Sequence, residues 1–156
     1  MALSPRDVVV TEIGTGLEQR IETGRHVLAS DEPVAAGGGD AGPDPYALLL
    51  AALGSCTSMT LRMYANQKKW PLEGVSIRLS HERIHARDCA DCENKDDARV
   101  ERITREISLA GPLSEEQRQR LMQIAERCPV NRSLIGPKEI VSRLVEPPLV
   151  EPPRGA

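Results

Sequence analysis

Two cysteines stand in settings that packing alone explains poorly. Cys56 follows Leu53-Gly54-Ser55 deep in an apolar run over residues 44–61. Cys128 closes a charged segment and is followed at once by Pro129-Val130-Asn131-Arg132. One oxidisable sulfur in a dry core and another at a helix terminus can form the two halves of a dithiol redox centre. A structural alternative stands beside each. Free cysteine is among the most buried residue types and often serves as a small hydrophobe, and Cys128 can simply cap a helix before Pro129. Burial in an apolar setting raises a thiol's pKa and leaves it inert unless a cation compensates. A reactive Cys56 therefore demands a nearby arginine or lysine. Arg20 and Arg25, on N-terminal strands, are the candidates, each equally readable as an ordinary solvated arginine.

A second cluster offers different chemistry. His81, His85, Cys89 and Cys92 combine a Cys-x-x-Cys with two histidines. Four such ligands can hold a tetrahedral zinc ion, and the even spacing of His81 and His85 puts both on one face of a strand. Zinc ribbons and fingers usually set their two ligand pairs much farther apart. The same cysteines can form an auxiliary dithiol, although the βαβ context of a thioredoxin motif is missing. They can also be exposed thiols on a solvated hairpin tip, among Asp88, Asp91 and Glu93, which oppose a reactive thiolate.

The elements that must position these groups can be read in chain order. Residues 8–13, 17–21 and 26–29 are short and partly alternating, with Gly14, Gly16 and Gly24 between them, and predict a β-meander or a hairpin with an added strand. Residues 31–43 contain Gly37-Gly38-Gly39 and show no periodicity, which predicts a loop. Asp44 fits a helix N-cap and Pro45 the first helical position. The helix is expected to reach Lys68 and to end at Trp70-Pro71. It is apolar nearly all round over residues 48–53, which implies burial on most sides. Residues 75–85 alternate as a half-buried strand, and Val100, Ile103, Ile107 and Leu109 mark a second long strand, so the pair predicts a hairpin with an enlarged tip. Ser114 and Gln117 have the spacing of a capping box. It opens a helix with Leu121, Ile124 and Ala125 on one face, ending near Cys128. Residues 131–134 predict a short turn and residues 140–145 a final strand. Pro147, Pro148, Pro152 and Pro153 make a stiff tail. Residues 1–146 thus read as one domain and 147–156 as a Pro-rich extension.

Composition narrows the function classes. Trp70, Tyr46 and Tyr64 are the only aromatics in 156 residues, so the core must be aliphatic and would gain from oligomerisation. The formal net charge is −3, with no basic stripe and few rings for base stacking, which argues against nucleic-acid binding. The first ten residues carry Arg6 and Asp7 and no apolar stretch of a signal peptide. The apolar run over residues 48–63 is broken by Ser55, Thr57, Ser58, Thr60 and Arg62. It falls short of the roughly 20 residues a membrane span needs. The expectation is a soluble, cytoplasmic protein without membrane contact, in a compartment that keeps thiols reduced.

Taken together, the segment from Gly42-Pro43-Asp44-Pro45-Tyr46 to Cys56 and the segment Arg127-Cys128-Pro129-Val130-Asn131-Arg132-Ser133-Leu134 resemble the OsmC/Ohr family of thiol peroxidases. The resemblance covers roughly residues 8–144 and follows the same order of elements. The subgroup it is most similar to occurs alone or appended to α/β-hydrolase domains, and no G-x-S-x-G elbow is present here. The resemblance implies an α+β, OsmC-like fold, an intertwined homodimer with two central cysteine-bearing helices packed on antiparallel sheets. It implies a redox site at each subunit interface, with Cys56 attacking an organic hydroperoxide, Cys128 resolving the sulfenic acid as a disulfide, and an external dithiol as reductant. That places the chain in an oxidative stress response, as an antioxidant enzyme with no cofactor. It further implies an N-terminal arginine beside the attacking thiol, for which Arg25 in Gly24-Arg25-His26 is the better match and Arg20 the other. The family's glutamate position holds Tyr46, which can donate a hydrogen bond but cannot anchor an arginine as a bidentate ion pair. The other function class left open is a non-catalytic redox-sensing or metal-linked binding module on the same fold, with Cys89 and Cys92 as candidate ligands. Leucine, alanine and methionine around Cys56 suit apolar peroxides better than hydrogen peroxide.

Overall fold

In the computed structural model, residues 7–85 and 99–146 are described. They belong to two compact units, residues 1–48 with 139–156, and residues 49–138.

The first unit carries a three-stranded antiparallel meander of β1 (Val9–Glu12), β2 (Gln19–Thr23) and β3 (His26–Ser30). Thr23 pairs with His26, leaving Gly24-Arg25 as a two-residue hairpin loop. Gly24 supplies the positive φ of 54° that such a tight loop requires at its first position. A 3₁₀ turn at Val34–Ala36 follows. The predicted loop after it is tied down by one buried carboxylate. Asp31 accepts from the backbone N–H groups of Glu32 (2.8 Å), Gly39 (2.8 Å) and Ala41 (3.2 Å). A Cβ at Gly38 would come within 1.9 Å of the Glu32 carbonyl oxygen, so only glycine lets the loop wrap this closely. The Ala41 hydrogen bond is the largest influence on the Asp31 carboxyl. Together with those from Gly39 and Glu32 it outweighs burial and holds the carboxyl below its ordinary value.

Helix α1 (Pro45–Lys68) begins as the sequence predicts. Asp44 Oδ1 accepts from the Ala47 N–H at 2.8 Å, and Pro45 takes the first helical position. Lys69 enters the left-handed region at φ 54°, and the Trp70 N–H bonds back to Ala65 O at 2.9 Å. With Lys69 N–H on Asn66 O, this is a Schellman close without glycine.

The second unit holds most of α1 together with a long antiparallel hairpin, β4 (Gly74–His85) and β5 (Arg99–Ala110), and two further helices, α2 (Glu115–Ala125) and α3 (Pro129–Ile135). The hairpin register runs from Gly74 opposite Ala110 to His85 opposite Arg99. Val75, Ile77 and Leu79 alternate inward on β4 as expected. Ser114 opens α2 with the predicted capping box. Its hydroxyl accepts from the Gln117 N–H at 3.2 Å, and Gln117 Oε1 accepts from the Ser114 N–H at 3.0 Å. Leu61, Ala65, Leu72, Leu113, Leu121, Ile124 and Ala125 form the aliphatic core, with Tyr64 and Trp70 against it edge to face.

Two expectations fail. Helix α1 is not covered on most sides by its own chain. A stripe of Leu53, Thr57, Leu61 and Ala65 is buried, together with Gly54, whereas Met59 and Met63 are 64% and 71% exposed. A run of apolar residues fixes what can be buried, not what is at hand to bury it. Residues 140–145 form no strand. β-propensity needs a neighbouring strand to become a ladder, and Ile140, Val141, Leu144 and Val145 stand exposed without one.

Candidate active site

Side chains from helix α1, strand β5 and the α2–α3 corner, each belonging to the second unit, converge on one sulfur. Cys128 is the N-cap of α3, with Pro129 at the first helical position. Its sulfur accepts from the Asn131 N–H at 3.3 Å. The Asn131 side chain is itself fixed, its Nδ2 donating to Glu126 O at 2.9 Å and lying 3.4 Å from Glu126 Oε2. From α1, Thr57 Oγ1 lies 3.4 Å from Cys128 Sγ. From β5, Arg105 Nη1 donates to Thr57 Oγ1 at 3.1 Å and to Ala125 O at 3.2 Å, while Nη2 pairs with Glu126 Oε1 at 2.8 Å.

The depths of the two sulfurs reverse the expectation. Cys128, not Cys56, lies in the dry core at 0% exposure, and Cys56 is half-buried. The reason is helical phase. The stripe of α1 that faces the core passes through Leu53 and Thr57, and Cys56 stands about 100° to one side of Thr57. Cys56 precedes Thr57, whose hydroxyl touches the Cys128 sulfur, and its own side chain bears on that sulfur electrostatically. Burial alone pushes the Cys128 thiol up. The hydrogen bonds from Thr57 and the Asn131 N–H, with the neighbouring Cys56 side chain and the positive charge of Arg105, outweigh it and hold the thiol below its ordinary value.

Arg105 is the cation that sequence reading missed. Its side chain is only 10% exposed, and a guanidinium that deep needs partners for its charge and its N–H groups. Glu126, the Ala125 carbonyl and Thr57 supply them. The signal lay in the β5 alternation: Ile103, Arg105, Ile107 and Leu109 occupy the inward positions, and an arginine in an apolar inward row calls for a buried partner. Thr57 had a weaker signal, a hydroxyl on the core stripe of α1.

The arginines singled out from sequence lie in the first unit. Arg25 is in the exposed β2–β3 loop, and Arg20, on β2, pairs with Glu22 at 3.1 Å. Tyr46 is exposed in the first turn of α1. His81 sits on β4 with its Nε2 against Glu101, which also binds Arg83. Cys89, Cys92 and the side chain of His85 lie outside the described residues, and so does the expected hairpin tip. Among the described residues no group of three or more His, Cys, Asp or Glu side chains is placed to hold a metal, and no helix is long and apolar enough to cross a membrane.

A mixed α+β chain with antiparallel sheets, one free cysteine on α1 and a second at the α2–α3 corner defines a class of dithiol-bearing protein. The model of the OsmC-like protein family matches residues 37–142, and the chain belongs to that family. Its fold is that of an OsmC-like protein from Mycoplasma pneumoniae (19% identity, 83% of this chain and 86% of that one, TM-score 0.66). It is similarly close to an organic hydroperoxide resistance protein OsmC from Legionella pneumophila (20% identity, 85% and 92%, TM-score 0.60). The organic hydroperoxide resistance protein OhrB of Bacillus subtilis also shares it (21% identity, 83% and 91%, TM-score 0.56). At these identities the likeness is one of fold. No curated protein sequence matches the chain.

Proposed function

We propose that the protein is a dithiol peroxidase of organic hydroperoxides, with Cys56 attacking and Cys128 resolving. The observation that carries this reading is the placement of the half-buried Cys56 next to Thr57, whose hydroxyl lies 3.4 Å from the buried sulfur of Cys128. The substrate class is taken from the Legionella and Bacillus relatives, described as organic hydroperoxide resistance proteins.

In this reading Cys56 gives up its proton and attacks the terminal oxygen of the hydroperoxide. A sulfur–oxygen bond forms and the O–O bond breaks. The alkoxide leaves as the alcohol by taking up the proton, and Cys56 becomes a sulfenic acid. Cys128 then attacks the Cys56 sulfur and expels hydroxide, which is protonated to water, leaving a disulfide. An external dithiol reduces that bond and returns both thiols. Cys56 is the attacking sulfur because it is the one a peroxide can reach. Arg25 is proposed as the cation on its peroxide side, as the family resemblance implies. We also propose a homodimer with residues 1–146 as its working domain. Met59 and Met63 lie on the Cys56 side of α1, and with Val10, Val27 and Leu28 on the meander they leave much apolar surface exposed.

The test is hydroperoxide consumption with a dithiol reductant. Cys56→Ser is expected to abolish turnover, and Cys128→Ser to leave one turnover that stalls at a sulfenic acid or mixed disulfide. Wild-type protein that consumes no organic hydroperoxide would end the peroxidase reading.

A further inference from the structure

The threonine next to Cys56 holds a single proton between two acceptors. Thr57 Oγ1 lies 2.8 Å from Leu53 O, the carbonyl one helical turn back, and 3.4 Å from Cys128 Sγ. Arg105 Nη1 donates into the same oxygen at 3.1 Å. The hydroxyl therefore receives from the guanidinium and must choose where to donate. When Cys128 carries a proton, Leu53 O is the better acceptor. When Cys128 is a thiolate, the negative sulfur is. Arg105 makes no hydrogen bond to the sulfur itself among those observed, so its contact with Cys128 runs through this hydroxyl.

We propose that Arg105 and Thr57 are positioning residues for disulfide closure: Arg105 orients the Thr57 hydroxyl, which swings its proton from Leu53 O to Cys128 and holds that sulfur as the resolving thiolate. The charged and titratable groups around the sulfur are Arg105 from β5, Glu126 from the end of α2 and Cys56 from α1. Glu126 faces Arg105 and holds its second nitrogen, at 2.8 Å. Asn131 adds a backbone N–H, with no charge. The proposal rests on the dithiol reading, but its test separates the two.

The experiment follows Cys128 by NMR of isotope-labelled cysteine Cβ through a pH titration of the full-length protein. A hydrogen bond to a charged group is strong enough that losing it moves a titration midpoint by about one to two pH units. Thr57→Val keeps the branched shape and is expected to raise the Cys128 midpoint by that amount. Thr57→Ser restores the hydroxyl and is expected to return the midpoint to near wild type. Arg105→Lys keeps the charge but loses the fork, and is expected to fall between. The pH profile of disulfide closure after Cys56 is oxidised should move with the midpoint. Unchanged midpoints in Thr57→Val, or an equal rise in Thr57→Ser, would overturn the proposal. A midpoint that responds as expected in protein that forms no disulfide with hydroperoxide would uphold the positioning network and refute the peroxidase.

Discussion

Replacing Gly111 by alanine should test how the frame around the cysteine pair is held. Gly111 joins β5, which carries Arg105, to the capped start of α2, which leads to Cys128. It has φ 118°, a region that side chains rarely adopt and that costs of order 1–3 kcal/mol. Its missing Cβ would lie 2.1 Å from Pro71 O and 3.0 Å from Glu73 N. Both are backbone atoms, and the same strip is held by Arg62 on Leu72 O and Glu73 O and by Arg118 on Leu109 O and Gly111 O. Neither side can yield by turning a side chain. The φ cost and the forced displacement together predict a loss of about 3 kcal/mol or more. With a urea slope of about 2 kcal/mol per molar, the midpoint falls by about 1.5 M. The melting temperature falls by about 6–12 °C for a chain of this size. Gly16→Ala is the control, because nothing lies within 4 Å of its Cβ position and its φ is not positive; it should stay within about 0.5 kcal/mol of wild type. A Gly111→Ala protein as stable as Gly16→Ala would refute the close approach.

Asp31 predicts a pH dependence of the glycine loop. Its carboxyl is held below the ordinary value of 3.8, so the folded loop binds fewer protons than the unfolded chain in acid. Its stabilisation is whole above 3.8 and disappears as pH falls through the lower, folded value. Amide exchange at Gly39 and Ala41 should accelerate in that acid window, and Asp31→Asn should remove the dependence. At the end of α1, Lys69 takes a left-handed conformation that glycine adopts without strain. Lys69→Gly should therefore stabilise the protein by up to about 1 kcal/mol in urea unfolding.

What could be read in advance, and what could not, divides along a physical line. Local signals carried through: Asp44 and Pro45 start α1, Ser114 and Gln117 cap α2, and Val75, Ile77 and Leu79 alternate on β4. Each depends on neighbours within a few residues. The site was legible as a pair of cysteines but not in its tuning. Whether Cys56 or Thr57 faces the core depends on one residue of helical phase, which an all-round apolar run does not mark. Arg105 reaches Thr57 across 48 positions of sequence, so the cation at Cys128 follows from the hairpin's pairing and not from any local motif. The expected strand at residues 140–145 failed for the same reason, since its partner is a matter of tertiary structure.

The central claim is that Cys56 and Cys128 work as one redox pair. The most direct measurement is peptide mass mapping of the full-length protein after one equivalent of an organic hydroperoxide, with no reductant present. The account predicts a peptide linked from Cys56 to Cys128 and loss of both free thiols together. Oxidation of Cys56 to sulfinic acid with Cys128 left free, or a disulfide that joins either one to Cys89 or Cys92 instead, would contradict it.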